Sequence, residues 1–472
     1  MSQKINFNIF NNDKFHLSIK QSINIQMKKS IIVLLLFFVA FGQAQDKKWT
    51  LLECVNHALE NNISIKQSEL DTNLADIAKK DAIGNFLPTL NANGSFGSNT
   101  GANVNPATNQ FENSTFESAN GSISSGINIF NGLANWKTLQ RAKLNQIASQ
   151  YGLDKMKDDV SLMVANSFLQ ILANREQLRV LKSQNEVTKE NIKNTQDLVD
   201  AGVLPRGDLL EIQATSATQE QQIINAENAL FISKLGLAQT LQLKDYLNFD
   251  IVDIDYGLVS ADILEKSPAE IAEKAKEEVN NVLIAKANLD LAEKDLEISK
   301  SSYYPTLSGF VQYNTRWASS QTNPFTGEDI PFIDQLYIFD GTSLGLQLRI
   351  PVFNGFSVRN NVQRSKVAIE RQKFQLEQTE LDLESTVYQA YNDAKNSKKS
   401  YEAALKTEEA RRLAFEYAKE RYDVGLSNSF DFNQSRTAYE NAQSDVVRTK
   451  YDYIFRLKIL EFYFGLPITD LN

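Results

Sequence analysis

Four stretches of the chain alternate between apolar and polar residues with a period of two. They cover about residues 87–97, 119–130, 305–317 and 342–353. In the last stretch, for example, Leu344, Leu346 and Leu348 alternate with small or polar residues. Such alternation predicts β-strands with one apolar and one polar face. Phe310 is the exception, because it falls on the polar side of its strand.

The segments around these strands predict loops and unusually long helices. Residues 98–117 and 318–341 are polar and predict exposed loops between the strands of each pair. Residues 132–202 and 355–425 contain no proline and almost no glycine. Each run would extend roughly 105 Å as a continuous helix. A second helix is predicted to return after each run, which gives two antiparallel hairpins over 132–243 and 355–464.

Short motifs recur along the chain in the same order. Phe130-Asn131-Gly132 recurs as Phe353-Asn354-Gly355 at an offset of 223 residues, and Asp208 and Asp431 have the same offset. This duplication predicts two repeats, 46–243 and 267–466, each with a helix, two strands and a long hairpin. The linker 244–266 is expected to form a collar around the middle of the rods, and 467–472 is a C-terminal tail.

Four strands per chain are too few to close a barrel. A soluble β-sandwich has the same alternation, but here each strand pair is isolated between long helices. The smallest closed barrels use about eight strands, and open edges are a liability. Three chains would supply 12 strands, which lies within the range of outer-membrane barrels. The predicted fold is mixed and mainly α: long antiparallel helical hairpins, with four strands per chain contributing to a 12-stranded transmembrane β-barrel.

The N-terminus predicts export. Met27-Lys28-Lys29 precedes the apolar run 31–41 and a few small residues, so residues 1–45 are interpreted as an extension and a signal peptide. The alternative is a retained anchor. Residues 1–26 are polar, and Met27 is a hypothetical true start. No other segment has enough consecutive apolar residues for a transmembrane helix.

Composition argues against most other classes of protein. The formal charge is −9, and removal of residues 1–45 leaves 44 basic and 57 acidic residues, or −13. An acidic chain without a basic block is not expected to bind nucleic acid. With Cys54 as the only cysteine and His57 as the only histidine after residue 45, neither a metal site nor a catalytic triad is expected. Cys54 is interpreted as a small hydrophobe on a helix rather than a lipidation site, and no cofactor and no enzymatic activity are predicted.

The duplicated order of Pro-Thr-Leu, Phe-Asn-Gly and long glycine-interrupted helices resembles the TolC-like outer-membrane efflux family over about residues 49–466. The resemblance implies a homotrimer in the outer membrane whose helical hairpins form a trimeric α-barrel that extends into the periplasm. It also implies a periplasmic adaptor (a membrane fusion protein) and an inner-membrane transporter as partners, with outer-membrane lipid around the barrel. The expected function is export of substrates from that transporter to the cell exterior, by efflux or type I secretion.

Candidate gate residues follow from the resemblance of Tyr422-Asp423-Val424-Gly425-Leu426 to the family's periplasmic tip. Tyr422 corresponds to a closure residue and Asp431 to a carboxylate ring in the pore. The family's second aspartate is replaced by Gln434, and Glu211, one helical turn after Asp208, is a hypothetical substitute. A ring of carboxylates in a narrow mouth attracts cations. Asp208 and Asp431 could instead cap the returning helices, and this alternative stays open.

The hairpin turns carry the remaining candidates. Arg206 either pairs with a neighbouring carboxylate to hold the tip shut or is simply solvated. By resemblance, the turns that contain Gly202, Leu204, Gly425 and Leu426 are the adaptor-docking surface.

Aromatic residues near the strands allow two interpretations. They form either an interfacial girdle or ordinary packing contacts. These residues are Phe96, Phe130, Tyr313, Trp317 and Phe353. Trp49 and Trp136 are expected in a core or in the collar.

Two other classes compete with a channel. A coiled-coil stalk or adhesive surface protein would not require alternating strands at the same place in both repeats. A periplasmic adaptor has one helical hairpin, whereas this chain has two. The exported substrate, whether a drug, a metal or a polypeptide, cannot be inferred from these patterns.

Overall fold

The computed structural model describes residues 48–104, 109–253, 262–323 and 325–466. The predicted signal peptide, the start at Met27, part of the linker and the tail 467–472 lie outside these ranges. In chain order the elements are β1 (Lys48–Trp49), α1 (Leu51–Asn61), α2 (Ile63–Gly84), β2 (Thr89–Val104), β3 (Phe111–Asn131), α3 (Ala134–Asp200), α4 (Arg206–Thr240), β4 (Asp250–Ile251), a 3₁₀ turn (Asp262–Glu265), α5 (Pro268–Glu278), α6 (Asn280–Ser301), β5 (Thr306–Ala318), α7 (Phe332–Ile338), β6 (Gly341–Arg349), α8 (Ser357–Asp423) and α9 (Ser429–Tyr463).

Four strands form one antiparallel sheet in the order β2-β3-β5-β6. Residues paired across a sheet share a face, so the register shows how the alternation is used. One row consists of Leu90, Ser125, Val311 and Leu344, and the next consists of Asn91, Ser124, Gln312 and Ser343. The sheet therefore has a mainly apolar face and a polar face.

The predicted loop 98–117 is wrong, because most of it is strand. β2 continues to Val104 and β3 begins at Phe111, and the hydroxyls of Thr100 and Thr115 lie 2.8 Å apart across the pair. β5 pairs with β3 only as far as Ser118, so the segment beyond it is a two-stranded ribbon. Both faces of this ribbon are rich in Ser, Thr and Asn, which removes the period-two signal. We refer to 98–104 and 109–117 as the ribbon.

Other boundaries also differ from the prediction. The predicted second loop contains the helix α7. The predicted strand 342–353 ends at Arg349, because Pro351 has no N–H for the ladder.

Phe310 does lie on the polar face, where it pairs with Gly126 and Gly345. A Cβ on Gly345 would meet the Phe310 ring at 2.9 Å, so the ring needs a glycine beside it.

The repeated Phe-Asn-Gly motif makes the join between a strand and a long helix. Gly132 and Leu133 have φ values of 67° and 66°, and Gly355 and Phe356 have values of 61° and 62°. Two consecutive left-handed residues make a short turn between the end of the strand and the start of the helix. Glycine adopts this conformation without the steric cost that a Cβ brings.

The two joins provide a matched test of packing. A Cβ on Gly132 would lie 2.4 Å from the carbonyl oxygen of Ser301, whereas a Cβ on Gly355 would meet nothing within 4 Å. We expect Gly355→Ala to cost about 1–2 kcal/mol from the left-handed backbone alone. Gly132→Ala should cost clearly more, because the α6 backbone must also shift. Thermal unfolding of both variants measures the difference, and equal losses would contradict this account of the motif.

The long helices pack side by side in one layer with two edges. α3 and α8 have 67 residues each, or about 100 Å, and α4 and α9 have 35 each. In the half next to the sheet, neighbours follow the order α2-α3-α6-α8, and in the distal half α4-α3-α9-α8. The side chain of Asn62 at the start of α2 donates to the carbonyl of Thr240 at the end of α4 (3.0 Å). α4 and α2 therefore meet end to end and form one edge, while α8 forms the other.

The main apolar core lies where the two halves of the layer meet. It contains Phe168, Leu172, Leu237 and Ile454, together with Ile251 from β4. The described part of the linker lies against this core, since β4 pairs with β1 and Asp250 bonds to Arg175 at 2.5 Å.

Three residues singled out in the sequence can be located relative to this core. Cys54 is fully buried in it, and Trp49 packs against Phe249 beside it. Trp136 is 52% exposed, so its expected place in a core or collar is wrong for this chain. Along the described ranges, no helix has both the length and the apolar content that crossing a bilayer requires.

Candidate gate at the tips of the helical hairpins

The two hairpin turns share one geometry. Gly202 and Gly425 both have a φ of +74°. In each turn the glycine N–H and the N–H after it donate to carbonyls of the preceding helix, as for Val203 to Leu198 (2.9 Å) and Leu426 to Arg421 (2.8 Å). This glycine-dependent C-cap ends both long helices at equivalent points. The turns therefore place Asp208 and Asp431 equivalently after each reversal.

Neither aspartate caps its helix through its side chain. Asn428 caps α9, because its side-chain oxygen accepts from the Asp431 N–H at 2.8 Å. α4 begins after Pro205 without a side-chain cap. The carboxylate of Asp208 instead accepts from the Ser429 hydroxyl at 2.9 Å, which connects the two hairpins. Asp431 is exposed, and its carboxylate has no partner among the described residues.

Tyr422 also connects the hairpins. Its ring stacks on Phe432 at 4.8 Å, and its hydroxyl hydrogen-bonds with Thr195 near the end of α3. Burial raises the pKa of the Tyr422 phenol, and the charge of Asp208 raises it further. The phenol is therefore neutral at physiological pH, and its contacts tie α8 and α9 to α3.

The other predicted residues stand apart from these contacts. Arg206 is exposed and makes no ion pair within the described ranges. Glu211 is exposed, and its charge acts on Arg436. The turn residues Gly202, Gly425 and Leu426 are exposed, while Leu204 is half-buried.

Sequence reasoning missed a buried ion pair above the tip. Arg436 is 2% exposed, its Nε lies 3.7 Å from a Glu440 oxygen, and none of its three nitrogens has a hydrogen-bond partner among the described residues. Burial lowers the pKa of Arg436 and raises that of Glu440. The i,i+4 spacing of this pair is typical of an exposed helix face, so nothing in the sequence marks it as buried.

Polar side chains join the hairpins around this pair. Gln219 donates to the Glu440 carboxylate (3.0 Å), and Gln184 donates to Gln443 (2.9 Å). Gln184, Gln219 and Glu440 line a polar cavity of about 290 Å³. Closer to the main core the contact becomes apolar, with Ile454 among its residues. The hairpins are thus joined by apolar packing near the core and by polar contacts towards the tip. Separating the two hairpins at the tip therefore exposes less apolar surface than separating them near the core.

The described residues contain no group of three or more His, Cys, Asp or Glu that could hold a metal ion.

A two-faced sheet fused to hairpins of about 100 Å, with polar contacts at their tips, defines the class of membrane channel subunits that bridge a lipid layer and an aqueous space. The model of the outer membrane efflux protein family matches residues 54–241 and 271–465, and the chain belongs to this family.

Relatives and solved structures agree with this assignment. The chain is 24% identical to Protein CyaE of Bordetella pertussis over 64% of its own length, and spans 61% of that protein. It is 22% identical to the outer membrane protein TolC of Vibrio cholerae over 88% of this chain and 91% of that protein. The fold matches the outer membrane protein VceC of Vibrio cholerae with a TM-score of 0.69 at 13% identity, covering 89% and 96% of the two chains. It also matches the outer-membrane channel OprN with a TM-score of 0.71 at 16% identity, covering 89% and 90%.

The resemblance inferred from the duplicated motifs is therefore confirmed. The protein is an outer-membrane channel for export with a helical extension into the periplasm, and the alternative of a stalk or adhesive protein is not supported. Its family consists of transport channels rather than enzymes.

Proposed function

We propose that three copies of this chain close side by side into one conduit, a 12-stranded barrel continued by a helical barrel. The observation that carries the proposal is that both layers of the chain end in free edges. The sheet ends in β2 and β6, and the helical layer ends in α2 with α4 on one side and in α8 on the other. Unpaired strand edges favour pairing with another chain.

The helical edges near the sheet carry matching apolar stripes. On α8 the exposed residues recur every seven positions, as in a coiled-coil seam: Val367, Phe374, Leu381 and Tyr388. On α2 the exposed apolar residues are Ile63, Leu70, Leu74 and Ile77. Since α2 ends and α8 begins close to the sheet, the two stripes lie at the same level of the rod. Lateral closure would remove both stripes from water.

The strand count favours three copies. A barrel of about eight strands, which two copies would form, has an interior just wide enough to be filled by side chains. Twelve strands from three copies leave room for a lumen between polar faces. The mainly apolar face then contacts outer-membrane lipid, as in other barrels of this membrane.

A charge on either stripe tests the closure. Leu74 is 63% exposed and Phe374 is 67% exposed in the single chain. We expect Leu74→Glu and Phe374→Glu each to convert detergent-purified trimers to monomers, because the interface would bury an unpaired carboxylate. Light scattering during size-exclusion chromatography measures the mass. Met163→Glu is the control, since Met163 is 54% exposed on α3 inside the layer rather than at its edge. Trimers that survive both edge variants would contradict the proposed interface.

The hairpin tips are proposed as the gated entrance. Tyr422 and its Thr195 contact, with Asp208 and Ser429, would hold the tip closed, and Asp431 would form a carboxylate ring. Arg206 and Glu211 are exposed beside this entrance, with Glu211 the candidate for a second acidic ring. Around the turn residues Gly202, Leu204, Gly425 and Leu426, exposed apolar side chains such as Val424 and Phe430 suit docking of a periplasmic adaptor.

The conduit would then export substrates that an inner-membrane transporter delivers through the adaptor. Similar proteins include a proteases secretion protein of Dickeya chrysanthemi and TolC of Vibrio cholerae, so efflux and type I secretion are both within the proposal. Drug-susceptibility and secretion profiles of a deletion strain, with and without the gene restored, test the function. Unchanged profiles, together with no channel activity of purified trimers in planar bilayers, would contradict it.

A further inference from the structure

The polar face of the four-stranded sheet carries positive charges and no negative ones. The register assigns to this face residues 89, 91, 93, 95 and 97 of β2, the even positions 118–128 of β3, the even positions 306–318 of β5 and the odd positions 341–349 of β6. These residues are Asn, Ser, Thr, Gln, Gly, Ala and Phe310, with two exceptions, Arg316 and Arg349. No aspartate or glutamate occupies any of these positions.

The two arginines lie at opposite ends of the sheet. Arg316 pairs with Asn120 next to the ribbon, and Arg349 pairs with Thr306 next to the long helices. The ten residue-to-residue steps from 306 to 316 span about 33 Å along the strand. This length is comparable to the hydrocarbon thickness of a bilayer. The arginines therefore mark the two mouths of the segment that would cross the membrane.

Neither guanidinium is neutralised within the chain. Both side chains are exposed, and neither makes an ion pair with a carboxylate of the described residues. The guanidinium of Arg316 lies 5.2 Å from the ring centre of Phe339, which restricts its position without cancelling its charge. An exposed guanidinium without a counter-charge can bind oxyanions through paired N–H donors.

We propose that the outer-membrane segment is an anion-accepting outlet, formed by one ring of Arg316 and one ring of Arg349. This inference rests on the proposed trimer, in which each arginine occurs three times around the lumen. The ligand class is small oxyanions and solutes that carry phosphate, sulfate or carboxylate groups. Rings of basic side chains select anions in pores, as acidic rings select cations. The outlet thus prefers anions, whereas the proposed ring of Asp431 at the tip prefers cations.

Membrane anchoring by these arginines is a weaker explanation. Basic residues that bind lipid headgroups belong on the lipid-facing side of a barrel, where Leu346 and Leu348 lie next to Arg349 in the strand. Arg349 and Arg316 alternate with that side and share their face with Gln347 and Asn314. Their charges are therefore directed to the aqueous side of the sheet.

Blockade by a polyanion tests the outlet directly. Trimers in planar bilayers of phosphatidylcholine are exposed to inorganic tripolyphosphate, added either on the ribbon side or on the tip side. We expect stronger block from the ribbon side in the wild type. The double variant Arg316→Gln/Arg349→Gln should need about tenfold more tripolyphosphate for the same block, equivalent to about 1.4 kcal/mol. The double variant Arg316→Lys/Arg349→Lys is the matched control and should retain most of the block.

The possible failures can be told apart. Unchanged block in the Gln variant, with normal trimers and conductance, would overturn the outlet while leaving the channel intact. Loss of bilayer insertion in the Gln variant, with intact trimers in detergent, would overturn the outlet and assign the arginines to lipid anchoring instead. If neither the wild type nor the variants conduct, the proposed channel fails, and the outlet fails with it.

Discussion

Asp431→Asn is expected to abolish the cation preference of the channel entrance and to weaken block by divalent cations about tenfold or more. At an effective dielectric constant of about 20, a monovalent cation about 8 Å from one carboxylate gains about 2 kcal/mol, and a divalent cation gains about twice as much. The side chain of Asp431 is exposed, and no described residue pairs with its carboxylate, so it is accessible to a passing cation. Ion selectivity and Mg²⁺ block of single channels in planar bilayers measure the effect.

Two control variants separate charge from closure at the tip. Asp208 accepts a hydrogen bond from Ser429, so Asp208→Asn should loosen the contact between the hairpins. Ser429→Ala removes the same contact without changing the charge, and both variants should raise the basal conductance. Glu211→Gln tests whether Glu211 supplies a second acidic ring, in which case divalent block falls further. Unchanged selectivity and block in Asp431→Asn would contradict the ring.

The second large effect concerns the buried pair of Arg436 and Glu440. We expect the double variant Arg436→Met/Glu440→Gln to be more stable than the wild type by about 1–4 kcal/mol, since replacing a buried ion pair by residues of similar volume is often stabilising. The 3.7 Å separation and the missing hydrogen bonds of Arg436 indicate that the pair does not recover the cost of burial. Burial is the main cause of both pKa shifts. It disfavours the charged forms, so it lowers the pKa of Arg436 and raises that of Glu440.

A better-formed pair in the same hairpin serves as the comparison. Arg456 lies 2.6 Å from Asp393, and both side chains are well hydrated. Arg456→Met/Asp393→Asn should therefore lower stability by only about 0–1 kcal/mol. Thermal denaturation of the trimers in detergent gives both changes. A clear loss of stability in the Arg436/Glu440 variant would mean that this pair supports the fold rather than weakening it.

The sequence predicted those elements whose pattern is strong and local. The 67-residue helices were placed to within a few residues, because glycines and left-handed joins mark both of their ends. The strands around Leu344 and Val311 were recognised from alternation, which the register explains through their shared faces. The ribbon escaped recognition because Thr100 and Thr115 belong to strands that are polar on both faces.

The candidate site depends on contacts between distant parts of the chain, which local patterns do not contain. Tyr422 and Thr195 are 227 residues apart, and Asp208 and Ser429 are 221 apart. The motif pointed to Tyr422 and Asp431 but gave no sign that Asn428 would cap the helix. Arg436 and Glu440 were overlooked because burial is decided by the packing of α4 and α3 on α9, and not by their own spacing.

In the proposed conduit, the ribbon is the part of the protein that faces the cell exterior. The strands of the sheet lead at one end into the periplasmic helices, so the ribbon projects from the opposite end, roughly 23 Å beyond the last row that includes β5. Its side chains are mostly small and hydroxylated or amidic. In the proposed conduit, antibodies and bacteriophages approaching the cell would encounter this hairpin first. Substitutions of its exposed side chains would then alter that recognition surface rather than the conduit below.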